Sequence, residues 1–442
     1  MISFANSIKS KILLAIILFI GFQQFPVLHV GGSLKIYEVL GGALLLMCGI
    51  RVRQEFLVKM MYVFFVISPI LSLISFYICD DVESYYSLYP TAKNSFRYNI
   101  YVFPLLQLLF MCVNYVVLYN VYYNRVIYEK FEILIKWIVI IGTIIACYSI
   151  VAMFTGDPIS HLPNFMQNKH VYDFRSSGLS QEPSSYVLYQ GWNVILCWHI
   201  KHSFTRIKWI IIFGINVISL LFTFSSTLVL FVGIICLMIF FFSRFQKKLI
   251  YLSIFCIFLY TSFLALSKFV DVDLLHYAMV QKVEDFVLGK DDAGGSGGFR
   301  HYESSLGWII FQDNPIFGVG VGNSNYFMHI ADKKSPIIPL DEQLEESSFP
   351  PNTFSCVFAE QGIIGGGAFV MIIFLVFHRA WKFRKYRYGK AFLTAIVYNI
   401  GCFLLIAPQY SMYLWLYLFI AIGYYRNVRM NLMLNDENSN RL

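Results

Sequence analysis

A chain whose apolar residues come in successive runs of roughly 20 has few folds open to it, because that is the length a helix needs to cross a hydrocarbon core. The runs here fall at residues 12–28, 34–50, 57–79, 99–121, 133–155, 183–200, 207–223, 225–243, 249–267, 352–377, 391–407 and 410–425. Inside lipid, backbone N–H and C=O groups must pair within the segment, so such spans are helices. Composition points the same way: 58% of the 442 residues are hydrophobic and 14% charged, where a soluble domain has nearer half and a quarter. The sequence therefore predicts an all-α polytopic membrane protein of about 12 transmembrane helices. Lys9 and Lys11 precede the first run, but no small-residue cleavage pattern follows it. The expectation is an uncleaved first span, not a removed signal peptide.

Charge assigns sides to these spans. With the N-terminus in the cytoplasm, the cytoplasmic segments collect 23 of the 34 Lys and Arg, as the positive-inside rule requires. Acids show the opposite bias: 21 of 26 fall outside, leaving only Glu55, Glu129, Glu132, Asp436 and Glu437 within. The alternation holds to the end of the chain, so both termini are expected to be cytoplasmic. The net charge of +8 is then a basic inner face over an acidic outer one, with no sign of nucleic-acid binding.

The division that follows has spans one to nine in 1–267, a large outer loop in 268–351 between the ninth and tenth spans, spans ten to twelve in 352–425, and a cytoplasmic tail in 426–442. Shorter outer segments lie at 80–98 and 156–182. A loop as long as 268–351 without structure of its own would be unusual, which marks it as functional. The nine cysteines sit in or beside apolar runs and read as small buried hydrophobes. The nine histidines are scattered, and no acidic pair stands at ligand spacing on a helix. The residues thus point to metal-independent chemistry without a cofactor.

Several segments are placed to carry that chemistry. Pro183 suits the first turn of a helix, which puts Glu182 at its N-terminus, either as a cap or as a base at the mouth of a membrane cavity. Glycines 294, 295, 297 and 298 form a hinge, and His301 to Gln312 reads as a short amphipathic helix on the membrane surface or over a cavity. The run Gly318, Gly320, Gly322, Asn323 permits a tight turn or close backbone approach to an anion. Only three outer cations are arginines: Arg97, Arg175 and Arg300. A guanidinium binds phosphate oxygens in a fork and keeps its charge when partly desolvated, so Arg175 and Arg300 are candidates for holding a pyrophosphate.

In order along the chain, Arg175 to Ser185, Arg300 to Asn323 and Asn352 to Gly366 resemble three blocks of the O-antigen polymerase and ligase superfamily of membrane glycosyltransferases. The blocks are the Arg…Gly…Glu-Pro-Ser element, the Arg, helix, Asn-Pro-hydrophobic-Gly-hydrophobic-Gly-x-Asn pattern, and Asn-Thr-hydrophobic…Glu-x-Gly-Ile-Ile-Gly. The resemblance implies a GT-C-like bundle in the bacterial plasma membrane that joins oligosaccharide repeat units of O-antigen, capsule or exopolysaccharide. The units would be carried on undecaprenyl pyrophosphate, with a flippase and a chain-length regulator as partners. It implies catalytic roles for Glu182, Arg175 and Arg300, and substrate binding by Arg97, His301, Gly318, Gly320, Gly322, Asn323, Asn352 and Glu360. Two departures matter. Ligases typically carry histidine just before the Asn of the third block, where this chain has Pro351, which favours a polymerase. The Arg-x10-Gly repeat of some polymerases is absent, because Tyr186 and Phe311 stand where glycine would. The alternatives are an O-antigen ligase acting on lipid A-core and, from another class, a flippase of the same lipid-linked sugars. Glu38 and Glu360, the ionisable residues of the spans, lie near predicted span ends, which disfavours the flippase.

Overall fold

The computed structural model describes residues 7–29, 33–79, 99–155, 175–180, 182–223, 225–242, 296–335, 349–405 and 411–439. They form helices throughout, apart from one short hairpin. In order these are α1 (Ile8–Phe19), strands β1 (Val27–His29) and β2 (Ser33–Lys35), α2 (Ile36–Cys48), α3 (Phe56–Tyr62), α4 (Ser68–Cys79), α5 (Val102–Tyr123), α6 (Arg125–Glu129) and α7 (Phe131–Thr155). They continue with α8 (Pro183–His199), α9 (Arg206–Leu221), α10 (Ser226–Phe242), α11 (Ser296–Asp313), α12 (Ser324–Lys334), α13 (Thr353–Lys382), α14 (Gly389–Cys402) and α15 (Met412–Ser439). The ninth predicted span, at 249–267, lies outside the described residues.

Among the described residues, four stretches are long and apolar enough to cross a membrane: Phe56–Ile78, Val102–Tyr123, Phe131–Thr155 and Thr353–Lys382. Each coincides with a predicted span. The helices at the other described spans are shorter or more polar, and α8 shows why. Pro183 through Cys197 are all buried in protein, and only Trp198 and His199 at the helix end reach the surface, so most of this helix is packed against other helices. It can therefore carry Gln190 and Asn193, provided neighbours help satisfy them. Gln190 donates to Asn216 of α9, which donates to Thr143 of α7 at 2.8 Å. Trp192 donates to Asn399 of α14 at 3.0 Å, and Tyr398 donates back to the Val187 carbonyl at 2.8 Å. Such interhelical hydrogen bonds hold a bundle together where lipid supplies no hydrophobic drive.

Two spans are discontinuous. Between α3 and α4 the chain makes a π-helical turn at Val63–Ile67. Gly362 interrupts α13 with φ 59° and ψ −158°. The first predicted span is also shorter than its apolar run: α1 stops at Phe19, and the rest enters the hairpin, where Val27 pairs Lys35 and Leu28 pairs Leu34.

Segments expected on the same side do meet at one end of the molecule. Glu55, just ahead of α3, accepts hydrogen bonds from Tyr122 (2.6 Å) and Tyr123 (2.8 Å) at the end of α5 and from Arg379 (2.7 Å) near the end of α13. Burial would raise its pKa, but the two tyrosine hydroxyls and the Arg379 guanidinium outweigh it and hold the carboxyl below its ordinary range. Arg387 reaches Glu132 at 2.6 Å, and the same carboxylate accepts from Ser203. At about 1.5 Å per residue, Gly362 lies ~26 Å from Arg379 along α13, which puts the helix break near the opposite face of the hydrocarbon core.

Candidate functional site

At that opposite end the second and third sequence blocks fold onto each other. Asp313 ends α11, and Asn314–Asn323 crosses to α12 with positive φ at Gly318 (70°), Gly320 (95°) and Gly322 (80°). The crossing lies alongside the break in α13 and bonds to it like a strand. Val319 and Gly320 donate to the carbonyls of Ala359 (3.0 Å) and Glu360 (2.9 Å), and Ile363 donates to Pro315 (2.8 Å). A Cβ on Gly318 would strike the Glu360 carbonyl, and one on Gly362 would strike that of Ile316. These glycines thus serve backbone approach, as expected of the run, but the partner approached is the broken helix.

Around this junction the polar side chains are buried. Ser324 donates to Glu360 at 2.7 Å, both nearly inaccessible. Asn323 donates to the Val319 carbonyl at 3.0 Å and stabilises the turn. Ser68, at the start of α4, donates to the Gln361 carbonyl. The Gln107 and Asn323 carbonyl oxygens and both amide atoms of Gln361 have no hydrogen-bond partner among the described residues. Buried amides of this kind normally find partners, so spare donor and acceptor capacity here is unusual. Sequence reasoning did not single out Gln107, Gln361 or Ser68; an amide within an apolar run was the available signal.

The helix expected at His301–Gln312 is longer, running Ser296–Asp313, so part of the supposed glycine hinge is helical. It packs on α12 and α13, where Tyr302, Leu306 and Ile310 join Tyr326, Phe327, Met328 and Ala359 in a small core of their own. α12 itself was not anticipated. Arg300 and His301 lie exposed in the first turns of α11. Asn352 caps α13, its side chain accepting from the Ser355 N–H at 2.8 Å. The Pro350 ring wedges against Gly307 of α11.

The first block sits across the bundle end, on α8 and α9. Arg175 donates from Nε to the Thr223 carbonyl at 3.0 Å, which orients its guanidinium plane. Ser176 bonds through its backbone to Phe222 and through its hydroxyl to Ser149 and Ser219. Gly178, at φ 60°, lies flat against the Tyr186 ring, leaving no room for a side chain. Glu182 is the N-cap residue of α8 with Pro183 next, as the sequence implied. Its exposed carboxylate does not cap the helix, however, and instead accepts from the Ser184 hydroxyl at 2.9 Å.

Beside it, Ser185 and Tyr413 of α15 share a 3.2 Å hydrogen bond, and the charges of Lys35 and Glu182 both act on the Tyr413 hydroxyl. Lys35 lies 3.5 Å from Glu38 at the start of α2. The N-termini of α8 and α15 therefore meet at the Ser185–Tyr413 hydrogen bond, within reach of the charges of Lys35 and Glu182. Tyr413 was not singled out in the sequence, because nothing local marks which tyrosine meets the first block. Arg97 lies outside the described residues. Among the described residues no hydrogen bond or ion pair joins Arg300 or His301 to Arg175 or Glu182.

Residues 210–370 match the family model described as O-antigen ligase. This stretch is an O-antigen ligase family domain. It takes in Arg300, the Gly318–Asn323 run, Asn352 and Glu360, whereas Arg175 and Glu182 precede it. No curated protein matches the chain. The match covers 161 of the 442 residues, and it is with the family that the second and third sequence blocks resemble. Within that stretch, the described residues include the glycine loop and the broken α13 that it pairs with.

Proposed function

We propose that this protein polymerises lipid-linked oligosaccharide repeat units at the outer face of the plasma membrane. Glycan moves from undecaprenyl pyrophosphate to a hydroxyl of the acceptor sugar. The acceptor oxygen bonds to the donor's anomeric carbon as the bond from that carbon to the pyrophosphate oxygen breaks. The hydroxyl proton passes to Glu182, and undecaprenyl pyrophosphate leaves. Arg175 and Arg300 bind the pyrophosphate and offset the charge that grows on it. Glu182 suits the base role because its carboxylate is exposed and is held by Ser184, not spent on the helix.

The observation that carries polymerase over ligase is the pair Pro350 and Pro351 ahead of the Asn352 cap. At the position where ligases typically offer an imidazole, this chain has no titratable group. The test is reconstitution of the purified protein with a defined lipid-linked repeat unit. A ladder of longer lipid-linked glycans is the expected result; a single unextended product refutes the reading.

The likeness of residues 210–370 to the O-antigen ligase family favours the second reading. Under it, deleting the gene leaves polymer on its lipid carrier and abolishes attachment to lipid A-core. Under the polymerase reading, deletion leaves single repeat units.

A further inference from the structure

At the end of the bundle away from the glycine loop, three arginines gather on Tyr122 and Tyr123, the two tyrosines that donate to Glu55. Arg379 is committed: it bonds to both Glu55 and the Tyr122 hydroxyl. Arg53 and Arg426 are not. Each stacks on the Tyr123 ring, 4.4 Å from its centre, so the two guanidinium carbons are at most about 9 Å apart. Arg426 also lies 5.5 Å from the Tyr122 ring centre. Neither Arg53 nor Arg426 makes a hydrogen bond or ion pair among the described residues. Stacking uses the faces of their guanidinium groups and leaves the N–H edges to donate.

Glu55 cannot neutralise this cluster, since its two oxygens already accept from Tyr122, Tyr123 and Arg379. The other ion pair at this end, Arg387 with Glu132, takes up a second carboxylate. Two stacked cations held this close repel each other, and an anion placed between their donor edges removes that cost. A guanidinium carbon sits roughly 4 Å from the phosphorus it binds through N–H···O bonds, so one phosphate group bridges two guanidinium carbons up to about 8 Å apart.

Exposed apolar side chains decide the source of that phosphate. Val52 is 47% exposed and Phe56 52% exposed, on either side of Arg53 along the chain. They offer an acyl chain a surface that a free ion has no use for. We infer that Arg53 and Arg426 form a binding site for the phosphodiester headgroup of an anionic phospholipid. The site is assembled from the segment ahead of α3, the end of α5 and the middle of α15. It ties three elements that are distant in sequence to the membrane surface on the side expected to be cytoplasmic.

The test titrates phosphatidylglycerol, phosphatidylcholine and, separately, inorganic phosphate into the purified full chain in detergent and follows thermal unfolding. Phosphatidylglycerol is expected to raise the melting temperature saturably, and phosphatidylcholine is not. With each basic residue near a membrane surface contributing about fivefold, Arg53→Gln with Arg426→Gln is expected to weaken half-saturation about 25-fold. The single variant Arg53→Gln, in an exposed loop that tolerates change, is expected to show about fivefold if the double variant does not fold. Unchanged half-saturation in these variants overturns the site. An equal rise with inorganic phosphate overturns the assignment to a lipid.

Discussion

Replacing Gly362 by alanine tests whether the glycine loop and the broken α13 form one unit. The position has φ 59° and ψ −158°, a region only glycine populates without strain, at about 1–3 kcal/mol for any other residue. The added methyl would also collide with the Ile316 carbonyl and press on the Gly318 nitrogen, both backbone atoms that cannot rotate away. Relief requires the loop to lift off, breaking the hydrogen bonds of Val319, Gly320 and Ile363 across the junction. Three such bonds are worth about 3 kcal/mol in total. Destabilisation of about 3–6 kcal/mol is therefore expected. Gly367, five residues on in the same helix, is the control: a Cβ there meets nothing, and alanine is neutral or stabilising by up to about 1 kcal/mol. The assay is thermal unfolding of the detergent-purified variants, with polymer length measured in cells. If Gly362→Ala melts with Gly367→Ala and supports normal polymer, the interlock does not organise the domain and the reasoning is wrong.

Glu182→Gln keeps the size of the side chain and its contact with Ser184 but cannot accept the hydroxyl proton; polymer should vanish from cells while the protein stays inserted, and full activity would remove the base role. Ser324→Ala deprives Glu360 of a buried donor, and a cost of about 1–3 kcal/mol is expected in the same melting assay. Alanine at both Arg175 and Arg300 should abolish long chains without loss of the protein from the membrane, as checked by glycan ladders beside immunoblots. Acid sensitivity should track Glu55. Its folded-state pKa is depressed, so its contribution is fully present above the unfolded carboxyl value and is lost as pH falls through the lower folded one. Glu55→Gln should flatten that acid limb of the melting-temperature profile; an unchanged limb would assign it to other carboxylates.

What the sequence determined by itself was the solvent and the periodicity imposed by it. Runs such as 57–79, 99–121 and 133–155 need only length and apolarity to become spans, and the corresponding helices fall within a few residues of expectation. The sides assigned by Lys and Arg likewise anticipated which loops meet, as in the contact of Glu55 with Tyr122 and Arg379. The three blocks also stand out in the sequence, because glycine, proline and arginine at fixed spacing have local meaning. Tertiary structure alone decided what those blocks touch. The glycine run could have faced an anion, and it faces the break in α13, since backbone pairing across 40 residues leaves no mark in either segment. Glu182 could have capped its helix, and it turns instead to Ser184, with Tyr413 arriving from the far end of the chain. Amides such as Gln107 and Gln361 gain their significance only from burial together, which no single segment encodes. Local sequence fixes backbone preference and solvent, whereas the meeting of distant side chains depends on how whole helices pack.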